Sequence, residues 1–441
     1  MAGPVKKDKY TPMKKLILSI LLLSYSCVIF AQNMDYARKV VKTLASPAFK
    51  GRGYAENGDQ IASAFIAGEF KKSGLLPLNG NSYFQDFDLS VNTFPGDVKV
   101  ELNGKTLITG ADYLVEASSP PVQGHFQVIT ADRTSLNSVE KVLALVEKAK
   151  DAFILLNDQV KPSEEGPEEK RMISQAIEAL KYDENLEFKG LIVCTSDKLT
   201  WTTLSFQTTR PVIVVNKKGL DPESIQNITL NIESRFIPKY TTRNVVGMLK
   251  GTSGSDSTLV ISAHFDHLGL MGNKVYFPGA NDNASGTAML LSFVKEYARH
   301  PPKYNTVFLA FSGEEIGLLG SKAFVEHPLT DLKKIKFLVN FDLAGTGEEG
   351  IKVVNGSIFK AQFDRLTKLN QQDHLLPKVE IRGAACISDH CRFYEKGVPS
   401  FFIYTQGGIK AYHDIYDRSE TLPLTEFSHY FQLMQRFFAG F

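Results

Sequence analysis

The chain has 441 residues, 43% of them hydrophobic and 22% charged, with 50 Lys plus Arg against 48 Asp plus Glu. These are globular proportions with length enough for two domains, and the near balance of charge leaves nothing basic enough to suggest nucleic-acid binding. The small positive excess belongs to residues 1–31: without their five Lys and one Asp the tally is 45 against 47, a net charge of −2.

In chain order, Lys14-Lys15, an apolar run from Leu16 to Phe30, and Ala31-Gln32 follow the charged, apolar, small-residue order of a secretory signal, with Met13 a second candidate start. The run is shorter than the roughly 18–20 residues that span a bilayer. Cys27 lies late in it, but Ser24-Tyr25-Ser26 lacks the large aliphatic residue of a lipoprotein signal. Cleavage near Ala31 and export, to a bacterial periplasm or beyond, are expected. Three cysteines would then remain: Cys194, in an apolar run, and Cys386 and Cys391, five residues apart and close enough for a disulfide in an oxidising compartment.

From Met34 an amphipathic segment, Tyr36 to Leu44, precedes the loop Ser46 to Gly53. Its Gly51-Arg52-Gly53 turn is expected to be structural, with substrate contact as the alternative. Asn57 or Asp59 is placed to cap a helix whose apolar positions Ile61, Phe65, Ile66 and Phe70 recur at helical spacing before Gly74. Between Phe94 and Tyr240 the composition turns to short strands and polar loops. Val98 to Ile108 alternates around Asn103-Gly104, a two-residue hairpin signal. The runs at 152–156, 190–194 and 211–215 read as core strands, Met172 to Leu180 as a helix, and the acidic stretch Glu164 to Arg171 as a solvated loop.

The chemistry-bearing residues come later, each after an apolar strand. Leu259 to Ser262 delivers His264 and Asp266; a Gly-rich loop then brings Asp282 to the start of a helix near Thr287. The strand Thr306–Phe311 ends in Ser312-Gly313-Glu314-Glu315. Phe337 to Phe341 ends at Asp342, and Ser400 to Tyr404 leads through glycines to Tyr412-His413. Carboxyl ends of strands are where open α/β sheets bind ligands. Imidazoles and carboxylates without thiolates suit zinc.

His264-Phe-Asp266, Gly279-Ala-Asn-Asp282-Asn-Ala-Ser-Gly286, Ser312-Gly-Glu314-Glu315, Asn340-Phe-Asp342, Ser388-Asp-His390 and Tyr412-His413 together resemble the motif set of the co-catalytic zinc aminopeptidase family, in family order. That family also includes glutamate carboxypeptidases, glutaminyl cyclases and the transferrin receptor. The resemblance implies a three-layer α/β/α sandwich with a mostly parallel mixed sheet, interrupted by a β-rich protease-associated domain. The expected division is a signal peptide over 1–31, peptidase segments over 32–94 and 241–441, and the insertion over 95–240. Two Zn²⁺ are implied: one on His264 and Asp342, the other on Glu315 and His413, with Asp282 bridging. Glu314 matches the general base, Asp266 the carboxylate that orients His264, and Tyr412 a hydrogen-bond donor to the reaction intermediate. His267, Asp389 and His390 are expected as structural supports. The implied partners are peptides with a free N-terminus. A carboxypeptidase would need a basic pocket, for which Arg382 and Arg392 are candidates; a glutaminyl cyclase works with one zinc; a receptor-like protein should have lost ligands. Because every implied ligand lies outside the insertion, that segment is expected to shape access and leave the metals alone.

Overall fold

The computed structural model describes residues 34–157 and 166–441. The leader expected over residues 1–31 lies outside the described residues, as does the start of the acidic stretch at Glu164.

The four site-bearing strands form Thr258–His264, Asn305–Phe311, Ile335–Phe341 and Ser400–Gln406. They run parallel in the order Asn305–Phe311, Thr258–His264, Ile335–Phe341, Ser400–Gln406. Arg235–Leu249 and Gly350–Val354 flank them antiparallel. Strands covered on both faces carry continuous apolar runs, and here successive residues serve different cores. Leu259, Ile261 and Ala263 pack with helices 34–44, Gly58–Lys72, Gly286–Arg299 and Phe427–Ala439, whereas Val260, Val307 and Leu309 pack with Leu319–Glu326 and His390–Glu395. The result is helix, sheet, helix in three layers.

Residues 98–232 build a second, eight-stranded sheet. Its centre, Val122–Asp132, Phe153–Asn157, Gly190–Thr195 and Val212–Asn216, is parallel. The chain enters through Phe84–Thr93 and leaves through Arg235–Leu249, which pair antiparallel as a two-stranded neck. Asn103 and Gly104, at φ 48° and 79°, close the expected hairpin. The expected helix at Met172 starts earlier and runs Pro167–Tyr182. Pro is tolerated in a first turn, and Glu168 and Glu169 favour the positive end of the helix dipole, so much of the stretch expected as a solvated loop is helical.

Two local expectations change near the N-terminus. Asn57 makes no side-chain cap bond, and Asp59 lies buried inside the first turn, accepting from Tyr240 Oη at 2.7 Å and Thr242 Oγ1 at 2.6 Å. It ties the helix to the neck. The turn at 51–53 is structural. A Cβ on Gly53 would meet Gly269 Cα at 2.4 Å, so only glycine allows the two backbones to meet. Between these glycines Arg52 is fully buried and donates to the carbonyls of Leu44, Phe265, Pro278, Gly279 and Asp282 at 2.7–3.1 Å. Burial brings this guanidinium down to about 10 against the pull of nearby Asp282, Asp417 and Asp266.

Replacing Arg52 with Met should leave those carbonyls without a donor in a dry site, where each orphaned acceptor costs about 1–3 kcal/mol. Denaturant unfolding of Arg52→Met should therefore show a loss of at least ~3 kcal/mol. A loss under ~1 kcal/mol would show that the clamp contributes little.

Candidate active site

The fold gathers the sequence-predicted residues at the carboxyl ends of the parallel strands. His264 closes its strand, Asp342 follows Phe341 directly, and Glu314 and Glu315 lie just beyond Phe311. Asp282 precedes the helix Gly286–Arg299, and His413 hangs on the loop after Gln406. His264, Asp282, Glu314, Glu315, Asp342 and His413 form the floor of a pocket of about 210 Å³. Leu343, Ile387, Phe402, Tyr404 and Tyr412 wall it.

The polar geometry is that of two donor sets sharing one carboxylate. His264 Nε2 lies 3.4 Å from both Asp282 Oδ1 and Asp342 Oδ1. His413 Nε2 lies 3.1 Å from both Asp282 Oδ2 and Glu315 Oε2. The far ring nitrogens face carbonyls: His264 Nδ1 is 3.2 Å from Asp266 O, and His413 Nδ1 is 2.9 Å from Trp201 O. A carbonyl only accepts, so each Nδ1 carries the proton and, in the neutral ring, each Nε2 offers its lone pair toward the carboxylates. Metal-binding histidines are held in this way.

Electrostatics point the same direction. Among the described residues, the ion pairs to Asp282, Glu315 and Asp342 come from histidines. Burial, and then the charges of Glu315, Asp389 and Asp342, raise the Glu314 carboxyl well above its ordinary value. Burial opposes the His413 imidazolium, yet Glu315 and Asp282 push it up to about 11. Asp342 Oδ1 is buried without a hydrogen-bond partner. Such a set of nitrogen and oxygen donors, short of positive charge, fits zinc.

Asp266 faces His264, its carboxylate Oδ1 3.7 Å from His264 Nδ1. Its backbone carbonyl orients His264, while its carboxylate accepts from the N–H groups of Glu314 and Glu315 at 3.2 and 3.4 Å and from Tyr54 Oη at 3.1 Å. It shapes the Glu314-Glu315 loop. His267 Nδ1 lies 2.7 Å from Glu315 Oε1, and its Nε2 is buried without a hydrogen-bond partner. Ser388, in the motif with Asp389 and His390, donates to Asp342 Oδ2 at 3.1 Å. Asp389 and His390 are buried, which pushes the first up to about 7 and the second down to about 4. Arg382 donates to Tyr404 Oη behind the pocket wall, and Arg392 pairs with Glu395, so neither lines the pocket.

Residues 244–438 match the family model described as Peptidase family M28. This part of the chain is an M28 peptidase domain. Aminopeptidase YwaD of Bacillus subtilis (strain 168) is 25% identical over 411 residues, covering 88% of this chain and 84% of that protein. A solved zinc aminopeptidase from Bacillus subtilis superposes with a TM-score of 0.66 at 20% identity, over 91% of this chain and 94% of its own. A Peptidase M28 precursor from Shewanella amazonensis SB2B does so with a TM-score of 0.64 at 15% identity, over 92% and 96%. At those identities the solved structures establish the fold, which is the α/β fold expected. The match of residues 244–438 to a peptidase family makes the chain a hydrolase.

Reasoning from sequence did not find Tyr54, Trp201 or Thr203. Trp201 and Thr203 bring the segment between the neck strands to the site, with Trp201 O against His413 and Thr203 Oγ1 donating to Glu315 O at 2.8 Å. Cys386 and Cys391 are disulfide-bonded at a Cα separation of 5.0 Å, and Cys194 is buried and free. Alkylation without reductant should leave Cys386 and Cys391 unlabelled by mass spectrometry; labelling of both in native protein would rule the bond out. Chelation should expose the carboxylate cluster to its own repulsion. Chelated protein should melt several degrees lower, about 1–3 kcal/mol less stable, and recover with added zinc; an unchanged melting temperature would argue against a metal here.

Proposed function

We propose that this chain is an exported zinc aminopeptidase with two zinc ions, cleaving the first bond of peptides with a free N-terminus. Residues 95–240 are read as a protease-associated insertion. The observation that carries the reading is the convergence of His264, Asp282, Glu315, Asp342 and His413 on one pocket beside an additional carboxylate, Glu314. His264 and Asp342 would hold one ion and Glu315 and His413 the other. Asp282 suits a bridge because its two oxygens face different histidines. Export is supported by the signal-like order of Lys14 to Gln32.

Bound zinc supplies Lewis acidity, activating water and stabilising negative charge on the scissile carbonyl oxygen. Glu314 takes the proton of the attacking water and passes it to the leaving amine. Glu314 is buried beside Glu315 and lines the same pocket, where it can reach a water and a leaving amine held there. Asp266 fixes the backbone of Glu314 and Glu315, separating base from ligand. Tyr412 is half exposed at the pocket rim, its ring stacked on His413 at 4.0 Å. Burial and then the charge of Asp282 raise its phenol, so the hydroxyl stays protonated and can donate to the intermediate. Leu343, Ile387 and Phe402 offer an apolar wall to the first side chain. Among the described residues no lysine or arginine lines the pocket, where a carboxypeptidase would need a basic group.

Two substitutions separate the adjacent glutamates. Glu315→Ala should lower zinc content and activity together. Glu314→Gln should keep both zinc ions and bind a substrate analogue normally while kcat falls by roughly 10²-fold or more. Metal analysis with kinetics on blocked and unblocked aminoacyl substrates reads both. Near-normal turnover of fully loaded Glu314→Gln would refute the assigned base, and one zinc with cyclising activity would move the chain to the cyclase reading.

A further inference from the structure

We infer that the segment Lys198–Thr203 of the insertion is a positioning strap for the second zinc site, so that the inserted sheet is a structural part of the metal centre. The inference rests on the two-zinc reading above and concerns one half of it.

The two donor sets are supported unequally. His264 ends a strand hydrogen-bonded on both sides, and Asp342 follows the neighbouring one. His413 sits in irregular chain beyond Gln406, next to the exposed Tyr412, and has φ 53° without being glycine. A non-glycine residue keeps that conformation when its surroundings enforce it. Much of the enforcement comes from the insertion. Trp201 N–H donates to His413 O at 2.9 Å while Trp201 O accepts from His413 Nδ1 at 2.9 Å, fixing the backbone and the ring together. Lys198 Nζ donates to Lys410 O at 2.8 Å and Tyr412 O at 3.0 Å and pairs with Asp414 Oδ2 at 2.6 Å. Thr203 Oγ1 reaches Glu315 O, so the other proposed ligand of the same ion is braced by the same segment.

The strap is itself anchored in both bodies. The Trp201 indole stacks on Phe277 with centroids 4.7 Å apart, and its Nε1–H donates to Val115 O at 2.7 Å inside the second sheet. Phe277, Leu268 and Met271 share one apolar cluster with the insertion's Phe153 and Ile213. Displacing that sheet would release the His413 ring, whereas His264 and Asp342 would keep their strand supports.

The test is competitive zinc titration of full-length Lys198→Met, Thr203→Val and Trp201→Leu, with zinc-saturated circular dichroism and melting to establish folding. Trp201→Leu keeps the carbonyl on His413 and removes the indole that positions it, and loss of a support around metal ligands typically costs 10–100-fold in metal affinity. The first zinc should bind within about threefold of wild type and the second at least ~10-fold more weakly, with kcat restored by excess zinc at little change in KM. Thr203→Ser, which keeps the hydroxyl, should restore wild-type affinity. Equal weakening of both sites, or an unchanged second site in all three variants, would overturn the strap while leaving the two-zinc reading intact. A wild type that binds one zinc would overturn both.

Discussion

Asp266, Asp282, Glu314, Glu315, Asp342 and Asp389 crowd around His264, His267 and His413 at the end of one sheet. Three imidazoles cannot neutralise six carboxylates. In a low-dielectric interior such like charges repel strongly and shift one another's protonation, which is why Glu314 is raised and Glu315, beside His413 and His267, is lowered despite its burial. A chain that folds around this surplus needs either shared protons or bound cations. The orientation of the two ring nitrogens toward Asp282 favours cations.

The scaffold meets that demand by setting the charges where chain direction changes. Parallel strands end together, so loops from four of them reach one volume, and the unpaired backbone groups there are free to hold carboxylates. Asp266 takes two N–H groups from the Glu314 loop, and Asp417 takes those of Asn281 and Asp282 at 2.8 and 2.9 Å. Arg52 works on the other side of these loops. Its buried guanidinium binds carbonyls on both arms of the segment between Phe265 and Asp282, joining the His264 strand end to the Asp282 turn without pairing with the Asp282 carboxylate. Substituting a carboxylate contact there would withdraw charge from the site; binding carbonyls leaves it in place.

The inserted sheet adds asymmetry. One donor set rests on ladder hydrogen bonds, which report the core's stability. The other rests partly on a segment that enters from more than two hundred residues away in the chain, through the carbonyl of Trp201. The neck therefore does not separate the second sheet from the pocket.

The chain's own sequence determined the strands, because burial on both faces requires continuous apolar runs such as Leu259–Ser262 and Phe337–Phe341. It also placed imidazoles and carboxylates at successive strand ends, the side chains that the fold then brings to one pocket. Helix limits were less legible: Pro167 and the acidic turn after it look like a loop until the helix packs Ile173 and Leu180. The supports were legible only in part: the turn at 51–53 was expected to be structural, with no sign of what it would hold. Asp59 has the local signature of a cap and becomes a tie to Tyr240 and Thr242; Arg52 in a glycine turn looks exposed and is fully buried. Trp201, an ordinary apolar residue in sequence, contributes its backbone carbonyl. Such roles depend on which distant groups arrive opposite a residue. A backbone acceptor is the same atom in every amino acid, so only the tertiary structure could decide which carbonyls would hold the histidines.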